Sequence, residues 1–297
     1  MRRLRKRAEV CEGTRQECSR LQLAARTFVR NRLAVIGAVI LTGFVVCAVF
    51  APYVAPHPPL AMDLTSMHSP PGTPGHLLGT DNLGRDVLSR LIYGSRISLS
   101  VGLVVVSIAA AIGTTMGLLS GFYGKTVDVA IMRVVEIFVA FPFLILVVAA
   151  ISILGPSLYN VMLVLGLVSW PIYARLVRSE VLAIRELPYI EAARAIGASN
   201  ARIMFRHVLP NCLSSVLVTA AMSMAGAILS TAALGFLGLG VQPPTPEWGM
   251  MLNEAKQFLR SYPWEIFYPG VAIMLVVLAL NFLGDGLRDA LDPHLHR

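Results

Sequence analysis

Residues 187–210 read LPYIEAARAIGASNARIMFRHVLP and lie between two long apolar runs. The segment predicts two short helices separated by a turn. Glu191 places a negative charge near the positive end of the first helix, where the helix dipole favours it. Gly197 supplies a helix stop, and Ser199 can cap a second helix that runs into Leu209-Pro210. We therefore expect a folded helix–turn–helix on one side of a membrane.

The first of these two helices carries a pair of small residues, Ala192 and Ala193. A small, flat helix face can press into a groove on another protein, so this helix is a candidate docking element. The alternative is an ordinary alanine-rich amphipathic helix that only connects two membrane spans, because short motifs also match by chance.

Composition indicates an integral membrane protein. The chain has 297 residues, of which 56% are hydrophobic and only 14% are charged, whereas soluble domains carry about 25% charged residues. The net charge of +8 does not indicate nucleic-acid binding, because 10 of the 25 Lys and Arg residues precede residue 33 and six more fall between residues 175 and 206. Such clusters are typical of cytoplasmic segments, and the basic tail is expected to bind anionic lipid headgroups.

The apolar runs predict an all-α fold with six transmembrane helices. The expected organisation is a cytoplasmic tail (1–32), a first span (33–55), an outer segment (56–96), a five-helix core (97–286) that includes the cytoplasmic segment 177–210, and a cytoplasmic C-terminus (287–297). Gly155-Pro156 divides the third span from the fourth, and Pro142 and Pro171 are expected to kink them. With this topology, 20 of the 25 Lys and Arg residues lie inside, which places both termini in the cytoplasm.

The end of the outer segment predicts a separate amphipathic helix at the membrane surface. Asp81 can cap it, and its apolar face would comprise Val87, Leu88, Leu91 and Ile92. Three charged residues lie on the other side and are expected to satisfy one another: Arg85, Asp86 and Arg90.

Sequence signatures of catalysis are absent. The chain has no GxxxxGK[ST] phosphate loop, no GxSxG elbow and no HExxH pair, and its histidines are scattered. We therefore expect no catalytic residue, no metal site and no ATP hydrolysis in this chain. The centres of the spans offer hydroxyl groups such as Ser107, Thr114, Ser169 and Thr219 and no ionisable group, which argues against a stand-alone carrier driven by protons or sodium.

Several motifs resemble one family. Glu191-Ala192-Ala193, Gly197 and Leu209-Pro210 resemble the EAA motif of ABC-importer permeases, and His207 matches the peptide-type members. Residues 79–81 (GTD), 84–86 (GRD) and 96–99 (RISL) resemble the C-type permease of dipeptide and oligopeptide importers. Together the matching stretches extend over residues 27–293, almost the whole chain.

The resemblance implies a type I ABC-importer permease in the inner membrane. The 187–210 segment would then be a coupling helix for cytoplasmic ATPases, with Glu191, Ala192, Ala193, Gly197, Leu209 and Pro210 as its site residues. The implied partners are a B-type permease, two ABC ATPases that use ATP and Mg²⁺, and an extracytoplasmic substrate-binding protein. No cofactor is expected in this chain. The substrate would be a dipeptide or oligopeptide, although related permeases carry nickel complexes, glutathione or opines.

One further pattern predicts close helix packing. Ala109, Gly113, Gly117 and Gly121 recur every four residues along one face of the second span. Small residues at this spacing let two helices approach closely in lipid. Their partner is either another helix of this chain or the second permease.

Overall fold

The computed structural model describes residues 27–291. The basic tail up to residue 26 and residues 292–297 lie outside the described residues, and with them the predicted lipid-binding site of the tail. The described chain is helical, as predicted. Its α-helices are α1 (Arg32–Val49), α2 (Ala51–Val54), α3 (Val87–Tyr123), α4 (Lys125–Ala140), α5 (Phe143–Leu154), α6 (Leu158–Ile184), α7 (Pro188–Ala195), α8 (Asn200–Ile203), α9 (Leu209–Phe236), α10 (Trp248–Ala255) and α11 (Trp264–Leu291).

Five stretches of the described chain are long and apolar enough to cross a membrane. They are Arg32–Val49, Val87–Tyr123, Leu158–Ile184, Asn200–Phe236 and Trp264–Leu291. Helices α4 and α5 make up a sixth span if they count as one, but they meet at an angle of 89°. Phe141, the residue before Pro142, stands in an extended conformation between them, because proline disfavours the helical conformation of the residue that precedes it. The predicted kink in the third span is thus a sharp bend.

The prediction of a separate surface helix before the second span is wrong. Helix α3 runs without a break for 37 residues, and Asp86 is its N-cap, accepting a hydrogen bond from the Ser89 N–H at 2.7 Å. Asp81 stands earlier in the chain and accepts the N–H groups of Leu83 and Arg85 instead. The helix can remain continuous because its charged residues have buried partners and do not need a water-facing surface.

Those partners form a buried ionic cluster of Asp81, Arg85, Arg90 and Glu254. The Arg85 Nε lies 2.7 Å from Asp81, and its Nη2 lies 3.0 Å from Glu254. Arg90 donates to both acids as well, at 2.8 Å to Glu254. The two arginines are only 1% and 2% exposed. The arginines have acidic partners in the interior, one of them from far along the chain, and Asp86 pairs with His76. The prediction that Arg85, Asp86 and Arg90 satisfy one another is therefore wrong.

The small-residue face of α3 packs against α6 of the same chain. A Cβ atom added to Gly113 would lie 2.5 Å from the Trp170 carbonyl oxygen and 2.5 Å from the Tyr173 Cβ. Gly117 and Gly121 approach the following turns of α6 at similar distances. We call this contact the glycine seam. The sequence leaves open whether this face packs against another helix of this chain or against the second permease. In the structure its partner is α6 of the same chain.

The stretch between α9 and α11 contains a buried helix. Trp248, at the start of α10, is fully buried, and its Nε1 donates to the Leu91 carbonyl at 3.1 Å. Glu247 caps this helix through the N–H groups of Gly249 and Met250, both at 2.9 Å. Helix α10 therefore folds back onto α3 and carries Glu254 to the two arginines.

Candidate coupling site and cavities

Helix α7 has the ends that its sequence predicts. Pro188 occupies its first turn together with Glu191. At the other end Gly197 has a φ of +82°, a conformation that glycine adopts readily. The Gly197 N–H donates to the Arg194 carbonyl at 2.9 Å and the Ala198 N–H donates to the Ala193 carbonyl at 3.1 Å. These two bonds form a Schellman motif, which ends the helix sharply.

The second helix of the segment continues into the membrane. The Ser199 Oγ accepts the N–H of Arg202 at 3.4 Å, which caps α8. A single π-helical turn, Met204–Val208, then joins α8 to α9. Pro210 lies in the first turn of α9, and the π turn before it accommodates the missing N–H. Leu209-Pro210 therefore lies within a continuous helical stretch, Asn200–Phe236.

The docking face of α7 differs from the predicted one. Ala193 is only 7% exposed and Ile190 is fully buried, so both side chains pack into the core of this chain. Ala192 and Glu191 are exposed, and Ile196 is 85% exposed. The two alanines are adjacent in sequence but point in different directions, because successive helical residues are about 100° apart. Ile196 was missed; its place directly before the glycine stop is the signal that could have indicated it.

Contacts of arginine side chains join the helices around the start of the 187–210 segment. The Arg185 Nη1 donates to the Gly121 carbonyl at 3.0 Å, and the Arg194 guanidinium lies 5.8 Å from the ring centroid of Phe122. Arg178 binds both carboxylate oxygens of Asp128, at 2.5 and 2.6 Å. The end of α6 is thus held to the end of α3 and the start of α4 beside the glycine seam, and Arg194 of α7 lies against the end of α3.

Two cavities lie beside the membrane helices. A cavity of about 260 Å³ is mainly apolar, and its polar lining consists of hydroxyl groups: Ser169, Tyr173, Ser223 and Ser230. A second cavity of about 680 Å³ lies next to the 187–210 segment. Its lining includes Glu180, Asn211, Thr219 and Arg288. Ser169 and Thr219, which the sequence marks as polar groups in the spans, both line cavities, whereas Ser107 donates to its own helix backbone.

A multi-span helical protein with a short exposed helix held on its core by one face has the form of a transporter subunit. Residues 113–297 match the family described as binding-protein-dependent transport system inner membrane component. Residues 19–71 match the N-terminal TM domain of oligopeptide transport permease C. The chain belongs to this family of ABC-transporter permeases, and the predicted resemblance is confirmed.

The relatives match over most of their length. The chain is 47% identical to the dipeptide transport system permease protein DppC of Alkalihalophilus pseudofirmus, covering 90% of this chain and 87% of that protein. It is 48% identical to DppC of Escherichia coli K12, covering 90% and 91%. Among solved structures, the inward-facing MetNI methionine ABC transporter aligns with a TM-score of 0.55 at 23% identity, covering 68% of this chain and 97% of that chain. This last likeness confirms the all-α permease fold.

Proposed function

We propose that this permease forms one half of the translocation path of an ATP-driven importer of short peptides. Relatives named for dipeptide transport support this substrate class, at 47% and 48% identity over nine-tenths of the chain. A glutathione transport permease, GsiD of Pectobacterium atrosepticum, is 43% identical over 91% of this chain, and glutathione is itself a peptide. Nickel complexes and opines are the alternative substrates.

The hydroxyl-lined cavity suits a peptide pathway. A peptide carries N–H and C=O groups that lose water when they enter a narrow passage, and each unpaired group is costly. Ser169, Ser223 and Ser230 offer neutral groups that can donate and accept hydrogen bonds. Neutral groups of this kind replace water without favouring one side-chain charge. Selection among peptides would then fall to the extracytoplasmic binding protein.

The observation that carries the proposed coupling is the exposed face of α7. Ile196 is 85% exposed although it is a large apolar side chain, and Glu191 and Ala192 are exposed beside it. The opposite face is held in the core by Ile190. A rigid helix with an uncovered apolar end fits a docking element, and we assign its partner as a cytoplasmic ABC ATPase. Two such ATPases would bind ATP and Mg²⁺, so that this chain needs no cofactor and catalyses no reaction.

The proposed assembly fixes the orientation of the chain. With the 187–210 segment against the ATPases, both termini lie in the cytoplasm, in agreement with the excess of Lys and Arg in the predicted inner segments. A second, B-type permease would complete the path, and the surrounding lipid would cover the apolar faces. Reporter fusions at residues 1 and 297 would test this orientation, and an extracytoplasmic signal from either fusion would contradict it.

The experiment reverses one charge on the docking face. Glu191→Lys should leave membrane insertion intact but abolish dipeptide uptake and ATPase co-purification, because it places a cation at the positive end of α7 and on its exposed surface. Gly197→Leu should have the same effect, since leucine does not readily adopt the φ of +82° that ends the helix. The matched control is Glu186→Lys, since Glu186 is 73% exposed and precedes α7.

The assay uses the chain co-expressed with its partner subunits and reconstituted in liposomes. Uptake of a labelled dipeptide and ATP hydrolysis are measured for each variant. Retention of both in Glu186→Lys and loss of both in Glu191→Lys would support the proposal. Uptake at the wild-type level by Glu191→Lys would refute the coupling assignment, and ATP-independent uptake by the purified chain alone would favour the ion-coupled carrier.

A further inference from the structure

Two histidines and an aspartate meet on the side of the protein opposite the 187–210 segment. His57 follows α2, His76 lies in the connection between α2 and α3, and Asp86 is the N-cap of α3. One possible ligand atom from each residue lies within 4.8 Å of the other two. No metal site is predicted from the sequence, because these residues are far apart in the chain and belong to no known spacing motif. Folding of the connection brings them together.

One ring nitrogen of His57 is already held by a hydrogen bond of the kind found at metal centres. The His57 Nε2 lies 2.7 Å from the Gly75 carbonyl oxygen. A histidine ligand commonly donates one ring N–H to a carbonyl while the other nitrogen binds the metal, so His57 has Nδ1 left for that role. The two imidazole rings lie 4.8 Å apart, centroid to centroid.

The separation of His76 and Asp86 is close to that of two ligands of one ion. The His76 Nδ1 and the Asp86 Oδ1 are 3.0 Å apart. Two atoms that each lie about 2.0–2.2 Å from a tetrahedral Zn²⁺ are roughly 3.3–3.5 Å apart. A small outward movement of the histidine would therefore convert the hydrogen bond into two metal–ligand bonds.

Charge gives a second, independent reason for a cation at this place. The Asp86 side chain is fully buried, and among the described residues its ion-pair partner is His76. Its other oxygen, Oδ2, accepts the Ser89 N–H. Asp81, by contrast, has two arginines as partners. A buried carboxylate is costly without a positive charge beside it, and a metal ion bound between Asp86 and His76 would supply that charge.

We propose that His57, His76 and Asp86 bind a divalent transition-metal ion, with Zn²⁺ as the best fit to two imidazoles and one carboxylate. A water molecule would complete the tetrahedron, and a cavity of about 390 Å³ beside His76 gives access. The ion would fasten the connection to the start of α3. The backbone N–H of His57, which donates to the Ser89 Oγ at 3.0 Å, already joins the same two elements.

The test measures metal binding by the purified full-length chain in detergent. The affinity tag must contain no histidine, and all proteins carry His294→Gln and His296→Gln so that the C-terminal histidines cannot contribute. After chelation and dialysis, Zn²⁺ is added at micromolar concentration and the bound metal is determined by mass spectrometry. We expect about one Zn²⁺ per chain and a rise in the thermal unfolding midpoint on Zn²⁺ addition. Bound Co²⁺ should show the visible absorbance of a tetrahedral ion.

Three variants make the result specific. His57→Gln combined with His76→Gln should abolish binding and the Zn²⁺-dependent rise in the midpoint. Asp86→Asn should weaken binding more than tenfold while it keeps an N-cap, since asparagine caps helices as well as aspartate does. The control is His68→Gln: His68 lies in the same connection but pairs with Glu265 at 2.6 Å, outside the cluster.

The proposal fails if the parent chain binds no Zn²⁺ above background, or if the double variant binds as much as the His68 control. Because the measurement needs neither transport nor partner subunits, its outcome is independent of the proposed importer function.

Discussion

Gly113→Ala tests whether the glycine seam holds α3 and α6 together. The added Cβ would lie 2.5 Å from the Trp170 carbonyl oxygen, 2.5 Å from the Tyr173 Cβ and 3.0 Å from the Ala174 nitrogen. Two of these three atoms belong to the backbone, which cannot rotate away as a side chain can. The helices must therefore separate by roughly 1 Å to restore ordinary contact distances of about 3.5 Å.

The steric cost of Gly113→Ala can be measured by comparing its unfolding free energy with that of an alanine substitution at an uncrowded glycine. Overpacking of a core costs about 1–3 kcal/mol, whereas replacing a helical glycine by alanine gains up to about 1 kcal/mol from helix propensity. Gly43 in α1 has no atom within 4 Å of an added Cβ, so Gly43→Ala should show the propensity gain alone. The difference in unfolding free energy between the two variants isolates the steric cost, which we expect to be about 1–3 kcal/mol.

The assay is unfolding of the purified chain in mixed detergent micelles with increasing SDS, followed by tryptophan fluorescence. Trp170 lies at the seam and reports on it directly. Gly226→Ala in α9, where an added Cβ also meets nothing within 4 Å, serves as a second control. If Gly113→Ala unfolds within about 0.5 kcal/mol of both controls, the close approach of α3 and α6 in the structure is not what stabilises their contact.

The remaining predictions concern buried acids near the start of α3. Glu254→Gln should destabilise the chain by about 3–5 kcal/mol, because two buried arginines are then left with the single carboxylate of Asp81 between them. Glu136→Gln, in an exposed pair with Arg133, should cost less than about 1 kcal/mol in the same unfolding assay. Burial raises the pKa of the Glu247 carboxyl group above its usual value of 4.5. Between these two pKa values the folded chain therefore binds more protons than the unfolded chain. Stability should therefore fall as the pH rises from about 4.5 to the raised pKa. Glu247→Gln should remove this dependence, and an unchanged pH profile would contradict it.

Local signals allowed the ends of α7 to be predicted from sequence. Pro188, Gly197 and Ser199 act through backbone groups within four residues, so their effect does not depend on the rest of the fold. The sequence does not show which side chains of α7 face the core and which are exposed. Ala193 faces the core and Ile196 is exposed, because the position of the transmembrane helices decides which face is covered.

The features that sequence reasoning missed depend on residues distant in the chain. Arg85 and Arg90 were expected at a water-facing surface, since charged side chains on a helix are normally exposed. Their partner Glu254 comes from α10, which is far along the chain. Trp248 is the local signal of burial, because a large and mainly apolar side chain is unfavourable in a segment exposed to water. Only the folded chain shows that it is fully buried against α3.

Helix α3 links the two ends of the molecule. At one end Arg90 lies in the buried ionic cluster, and at the other Gly121 accepts a hydrogen bond from Arg185 beside α7. Ile190 of α7 belongs to the same apolar core as the facing residues of α3 and α6. A force applied to α7 by a docked ATPase would therefore move α3 and α6 as one body, because close-packed cores transmit displacement and do not deform gradually. Under the proposed docking, the glycine seam would serve coupling as well as stability, because a looser seam would let α7 move while the far end of α3 stays in place.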